Sequence, residues 1–322
     1  MASCCAGILP WRLDPLAYSL SLSADEWFDF AIACCLAYVA WLGHAHCELM
    51  NPLHSQALLA SLRHAPLLVG DLPEAASLDR SLFGRPDPDV ALNENQKLGH
   101  LYEDALCLLL QASERLELLA DHVQVFDAGG ITLGEMDTIL QDRQRGCFLQ
   151  LELAVKFYLA VPTAAGWKFP GPDPKDNWLR KLQRMRARQF TLAARPEAKV
   201  LLHERWGIDQ IEVRQLIYGC LFYPLDAEGS CPQPEGVNAD CRRGRWLYEK
   251  DWELCLGDVT AVCLVPKYLW PVELTAELRQ SLPKVAVAEL RASAKQRCVM
   301  FVLPETPEPY FLVPGRWPAA LS

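Results

Sequence analysis

The sequence predicts an α/β fold, and three observations carry that reading. Apolar residues keep a helical period between 93 and 120 and then switch to strand-type alternation between 122 and 159. Short apolar strand candidates recur among helical segments further on, without an internal repeat or a low-complexity tract. The composition, 51% hydrophobic and 22% charged over 322 residues, supports a sizeable core and speaks against wholesale disorder.

Taken in order, residues 1–51 form a cysteine- and tryptophan-rich, mostly helical extension, and residues 52–322 form the main domain. The run 30–43 is apolar throughout, but a membrane-spanning helix needs about 20 residues. No basic region precedes it, which argues against a secretory signal. A buried or interface helix is the favoured reading; membrane contact through residues 25–47 is the less favoured one. Residues 54–64 have helical spacing. Residues 66–88 hold turn formers and are expected to wander over the surface. Asn93 or Asn95 can cap a long helix running to about 120. A strand is expected over 122–127, a turn at Ala128-Gly129-Gly130, and two strong strands over 131–142 and 147–159 around a polar tip. A Pro- and Gly-rich loop follows to 176, then a basic helix over 177–190 and a helix over 197–206. Further on come a strand over 214–223, a polar loop over 226–245, short strands over 261–265, 285–289 and 298–303, and a helix over 275–281.

The formal net charge of −9 counts against a generally basic nucleic-acid binder, although an enzyme can confine positive charge to one groove. The 13 cysteines include no Cys-x-x-Cys pair and match neither a zinc ribbon nor a disulfide framework. Reduced core thiols in a reducing compartment, with a cytoplasmic location and no structural zinc, are the expectation. His44, His46 and Cys47 are metal-capable types without an evident fourth ligand. Walker A, Gly-x-Gly-x-x-Gly and Gly-x-Ser-x-Gly motifs are all missing, and the scattered tryptophans read as core.

The 134–159 hairpin can be treated geometrically. With Gln144 and Arg145 at the centre of a tight tip, paired positions sum to 289, and Asp137 stands opposite Glu152. Strand period two then keeps Glu135 with Asp137, and Glu152 with Ala154 and Lys156, on one face. Opposed like charges destabilise a sheet unless a cation or a proton relieves them. A divalent metal would do so, and a lysine could orient an attacking water.

Gly134-Glu135-Met136-Asp137, followed by the hairpin and Leu151-Glu152-Leu153-Ala154-Val155-Lys156, resembles the Gly-Glu-x-Asp … Glu-x-Lys core of PD-(D/E)XK phosphodiesterases. Four further segments resemble one bacterial family of unknown function assigned to that superfamily: residues 152–159, Leu221-Phe222-Tyr223-Pro224, residues 264–270 and residues 313–318. The resemblance covers roughly 55–318. It implies a restriction-endonuclease-like core, with a central mixed sheet flanked by helices and a C-terminal α/β elaboration. It further implies Mg2+ (or Mn2+) bound by Glu103, Asp137 and Glu152, with Lys156 assisting catalysis alongside Asp137 and Glu152. The basic helix would lie beside the groove, with Arg180, Lys181, Arg184, Arg188 and Gln189 as nucleic-acid contacts. One departure stands out: Glu152 and Lys156 are four residues apart, where the usual motif has two. The expected function is therefore an Mg2+-dependent phosphodiesterase acting on DNA or RNA, with a degenerate motif. The alternatives are a non-catalytic nuclease-fold protein binding nucleic acid or a protein partner, and a membrane-surface or interaction protein working through its N-terminal helix.

Overall fold

Contacts divide the chain into Met1–Glu48 and Leu49–Ser322. The computed structural model describes residues 49–227 and 232–318, all in the second unit. The expectations for residues 1–48, including the apolar run and the His44/His46/Cys47 set, lie outside the described residues. No helix among the described residues is long and apolar enough to cross a membrane.

Nine strands form a continuous ladder. In chain order they are β2 (Leu116–Phe126), β3 (Thr132–Asp142), β4 (Cys147–Leu159), β7 (Ile211–Pro224), β8 (Arg242–Tyr248), β9 (Ala261–Leu264), β10 (Lys284–Ala286), β11 (Val299–Val302) and β12 (Pro309–Val313). Their spatial order is β10-β9-β11-β12-β8-β7-β4-β3-β2, and the two-residue strand β1 (Ala76–Ser77) adds to β7. The centre, β4-β7-β8-β12, is parallel; both wings are antiparallel. The sheet is thus mixed and flanked by helices. A separate hairpin joins β5 (Val161–Thr163) to β6 (Gly166–Lys168) within the segment expected to be loop.

Alternation along β4 sorts its side chains between two layers. Leu149, Leu151, Phe157 and Leu159 join the core that holds helices α1 (Pro52–His64) and α2 (Leu98–Gln111). Ala154 and Tyr158 face the other way, onto Trp178, Leu182 and Met185 of α3 (Trp178–Arg184) and the turn after it. Asn177 caps α3 through its side chain, which accepts from the Leu179 amide at 3.1 Å. Where β7 runs beside β4, Gly219 has φ of +145° and faces Lys156; a Cβ there would lie 1.6 Å from the Lys156 carbonyl oxygen. A side chain is excluded because two backbones approach too closely.

The hairpin register agrees with the geometry expected from sequence. The ladder runs from Thr138↔Leu151 to Asp142↔Cys147, every pair summing to 289. Asp142 anchors the tip: its Oδ1 accepts the Gln144 and Arg145 amides, and Arg115 grips both its carboxylate oxygens at 2.9 and 2.8 Å. Arg115 and these amides hold the Asp142 carboxyl down at about 2.

Several expectations need correction, among them the polar loop over 226–245, whose last residues open β8 at Arg242. The long helix does not reach 120: α2 ends at Gln111 and β2 begins at Leu116. The Ser113 hydroxyl intercepts the chain, accepting the Arg115 and Leu116 amides and donating to the Leu82 carbonyl. Segment 66–88 does not wander over the surface. Leu68 and Val69 are fully buried, and their amides donate to the Ile217 carbonyl. The strand expected over 285–289 is cut at Ala286, where helix α7 (Val287–Ala294) starts. The intervening helices are α4 (Pro196–Trp206), α5 (Trp252–Leu256) and α6 (Ala276–Ser281).

Candidate functional site

The β3–β4 ladder stops at Thr138↔Leu151, and the next residue on β3 is Asp137. Its side chain takes over the pairing role: Oδ2 accepts the Leu153 amide at 3.0 Å. The two strands part there, and Glu152 lies buried at the fork, 2% exposed. Strand parity places Gln150 on the Glu152 face, and the Gln150 Nε2 donates to Glu152 Oε1 at 2.7 Å. Gln189 reaches the same carboxylate from the helical layer, donating from Nε2 to Oε2 at 2.8 Å. Lys181 Nζ in turn donates to Gln189 Oε1 at 3.0 Å.

A π-turn makes this reach. After α3 the chain continues through Met185–Gln189 as a π-helix, closed by the Phe190 amide donating to the Met185 carbonyl. In an uninterrupted α-helix, eight residues would leave Gln189 about 80° round from Lys181. The wider π-turn closes part of that offset and turns both side chains toward the sheet; such bulges often sit at functional sites.

Neither Asp137 nor Glu152 forms an ion pair among the described residues. Burial pushes the Glu152 carboxyl up, and the charge of Asp137 adds to the shift, against the Gln150 and Gln189 amides and the Asp137 backbone. Burial likewise raises Asp137; the Leu153 amide and Lys181 oppose this, while Glu103 and Glu135 add to it. Lys181 is drawn below its ordinary value by burial and then by Lys156, with Asp137, Asp176 and Glu152 pulling back.

The residues expected from sequence are thus only partly gathered. Glu103 accepts from His100 at 2.9 Å and lies 3.7 Å from His122, which also meets Glu135 at 3.1 Å. His122 holds a left-handed φ of 48°, uncommon for a residue with a Cβ. Lys156 does not turn back to Glu152; its Nζ donates to Asp176 Oδ2 at 2.7 Å. Arg180, Arg184 and Arg188 are exposed, and none of them bonds Asp137 or Glu152 among the described residues. Two participants escaped the sequence reading. Gln150 was signalled by its place two residues before Glu152, and Asp176 stands at the end of the Pro- and Gly-rich loop.

A divalent cation fits this donor set. Asp137 Oδ1 accepts no hydrogen bond among the described residues, and each Glu152 oxygen accepts one side-chain amide, so lone pairs remain. The buried Gln150 Oε1 beside them has no partner. Mg2+ is commonly held by one or two carboxylates, with waters completing the shell. No group of three or more His, Cys, Asp or Glu side chains among the described residues could hold an ion, so Glu103 is not part of such a set here.

Fold and site together define a mixed-sheet α/β protein with two carboxylates, buried Glu152 and part-buried Asp137, at a strand fork. The chain belongs to a family described as a domain of unknown function (DUF1853), whose model matches residues 35–307. No curated protein and no solved structure matches it.

Proposed function

We propose that this chain is an Mg2+- or Mn2+-dependent phosphodiesterase of PD-(D/E)XK type, acting on DNA or RNA. One observation carries the reading: two carboxylates, part-buried Asp137 and buried Glu152, stand at the strand fork without a direct ion pair among the described residues, while Lys181 and Gln189 turn toward them from the adjoining helical segment. Such a pair is costly to maintain for structure alone.

Asp137 and Glu152 would hold the ion, which supplies Lewis-acid polarisation of a phosphodiester and eases ionisation of water. Gln150 and Gln189 fix the Glu152 carboxylate from two sides, so its orientation is set before substrate arrives. Lys181, its protonated form weakened by burial, orients the attacking water and takes part in proton transfer. Lys156, held by Asp176, meets the phosphate on the substrate side.

The test is a cleavage assay with Mg2+ or Mn2+ on single- and double-stranded DNA and RNA, comparing the natural protein with Asp137→Ala. Loss of cleavage in the variant is expected. Equal cleavage by both, or none by either, removes the reading. The Lys156–Asp176 ion pair and the near-complete burial of Glu152 favour a second reading, a nuclease fold that binds nucleic acid without cutting it. Binding without Asp137-dependent cleavage would select it.

A further inference from the structure

A cleft of about 720 Å³ opens between the start of α2 and the β9–β11 wing, with Lys156 and Asp176 on its wall. Its wall carries Lys97, Lys156, Lys267 and Arg297, together with Trp270 and Phe157. In a chain of net charge −9 this is a local reversal, offset only by Asp173 and Asp176. Lys156 is paired with Asp176, whereas Lys97, Lys267 and Arg297 are exposed and make no ion pair among the described residues. Unpaired cations in a concave site focus potential on an anion.

The apolar side of the cleft is rigid. The Trp270 Nε1 donates to the Val265 carbonyl at 3.0 Å, and its ring stands edge-to-face against Phe157 and Phe311 at 5.5 and 4.9 Å. A fixed indole beside phosphate-binding cations is the chemistry that receives an unpaired base and its backbone. The volume falls within the range of about 300–1,000 Å³ that encloses small ligands, which suits a nucleotide or two and is too small to enclose a double helix. The cleft is tied to the fork along β4: Lys156, on its wall, follows Glu152 by four residues on the same strand face.

We propose that this cleft, lined by Lys97, Lys156, Lys267, Arg297 and Trp270, binds a single-stranded segment of nucleic acid and delivers its backbone to the Asp137–Glu152 fork. The exposed set of Arg180, Arg184 and Arg188 is then not the main binding surface. The delivery step rests on the phosphodiesterase reading; the binding does not.

The test measures fluorescence anisotropy of a labelled mixed-sequence 12-nucleotide DNA and its RNA counterpart with the full chain in EDTA, so that binding is read without cleavage. A duplex of the same sequence is measured in parallel. Lys267→Glu with Arg297→Glu alters two exposed side chains and leaves the core intact; Arg184→Glu with Arg188→Glu is the comparison. The cleft variant is expected to weaken single-strand binding at least about tenfold and to flatten the log Kd against log salt slope by about 1.4. The helix variant should stay within about twofold of the natural protein. The proposal is overturned if the natural protein binds no strand, if the cleft variant binds as the natural protein does, if the loss falls instead on the helix variant, or if duplex is preferred. Strand binding through the cleft without Asp137-dependent cleavage leaves this inference standing and removes the phosphodiesterase reading. Asp137-dependent cleavage with an unaffected cleft variant does the reverse.

Discussion

Gln189 donates to Glu152 Oε2 at 2.8 Å, joining the end of a π-turn to a buried position in the middle of the sheet. Gln189→Leu leaves that carboxylate oxygen without the donor, at an expected cost of about 1–3 kcal/mol in urea denaturation. Gln189→Glu sets a second carboxylate against Glu152, and its loss should grow as pH rises. Equal midpoints for both variants and the natural protein would show that the helical segment and the strand are not coupled through this bond.

Asp137 and Glu152 are both raised from their ordinary values, mainly by burial. A carboxyl whose folded value lies above its unfolded one binds more protons in the native state, so stability falls as pH rises from the ordinary carboxylate range through the raised values. Asp137→Asn should flatten that fall and, near neutral pH, raise stability by on the order of 1–3 kcal/mol. Millimolar Mg2+ should raise the melting temperature of the natural protein at neutral pH and leave Asp137→Asn nearly unmoved. A variant that melts with unchanged pH dependence and an unchanged response to Mg2+ would contradict this account of the pair.

Two lysines stand near the fork with different partners. Lys181 bonds Gln189, and Lys156 bonds Asp176. In the cleavage assay Lys181→Met is expected to lower kcat by roughly 10²–10⁴, the usual contribution of a positioned proton-transfer group. Lys156→Met should act chiefly on KM, because its amine faces the cleft. The reverse split would return the catalytic role to the strand lysine.

Gly219→Ala places a Cβ against the Lys156 carbonyl on a backbone of φ +145°. Either strain alone costs on the order of 1–3 kcal/mol. The expected result is a large drop in soluble yield and in denaturation midpoint, whereas Gly315→Ala, where a Cβ meets open space, should be neutral.

The part of this fold most legible in the sequence was the hairpin, because period two and a tight tip leave a single register consistent with both strands. The junction at 112–120 was misleading, since Leu116, Leu118 and Leu119 satisfy helical and strand spacing alike. What decided it was Ser113 capturing two amides, a tertiary event anchored on Leu82. The site was half legible. Asp137 and Glu152 followed from register, and Gln189 from the resemblance. The inward turn of Lys181 depends on a π-turn that residue spacing does not encode, and the capture of Lys156 by Asp176 depends on where a Pro- and Gly-rich loop returns to the sheet. Strand β12 passed unnoticed because Pro309 opens it and the strand is only five residues long.

The position of β12 reaches beyond the sheet. The wing of β9, β10 and β11 joins the ladder only through β12, which is last in the chain order of described strands and sits against β8. During synthesis the β8 edge therefore stays unpaired until residues near 313 have emerged, and the wall carrying Lys267 and Arg297 has no ladder to rest on before then. A nascent chain stalled short of Pro309 would present an open parallel edge and an unformed cleft. Acquisition of the basic wall thus waits on β12, the last of the described strands in chain order.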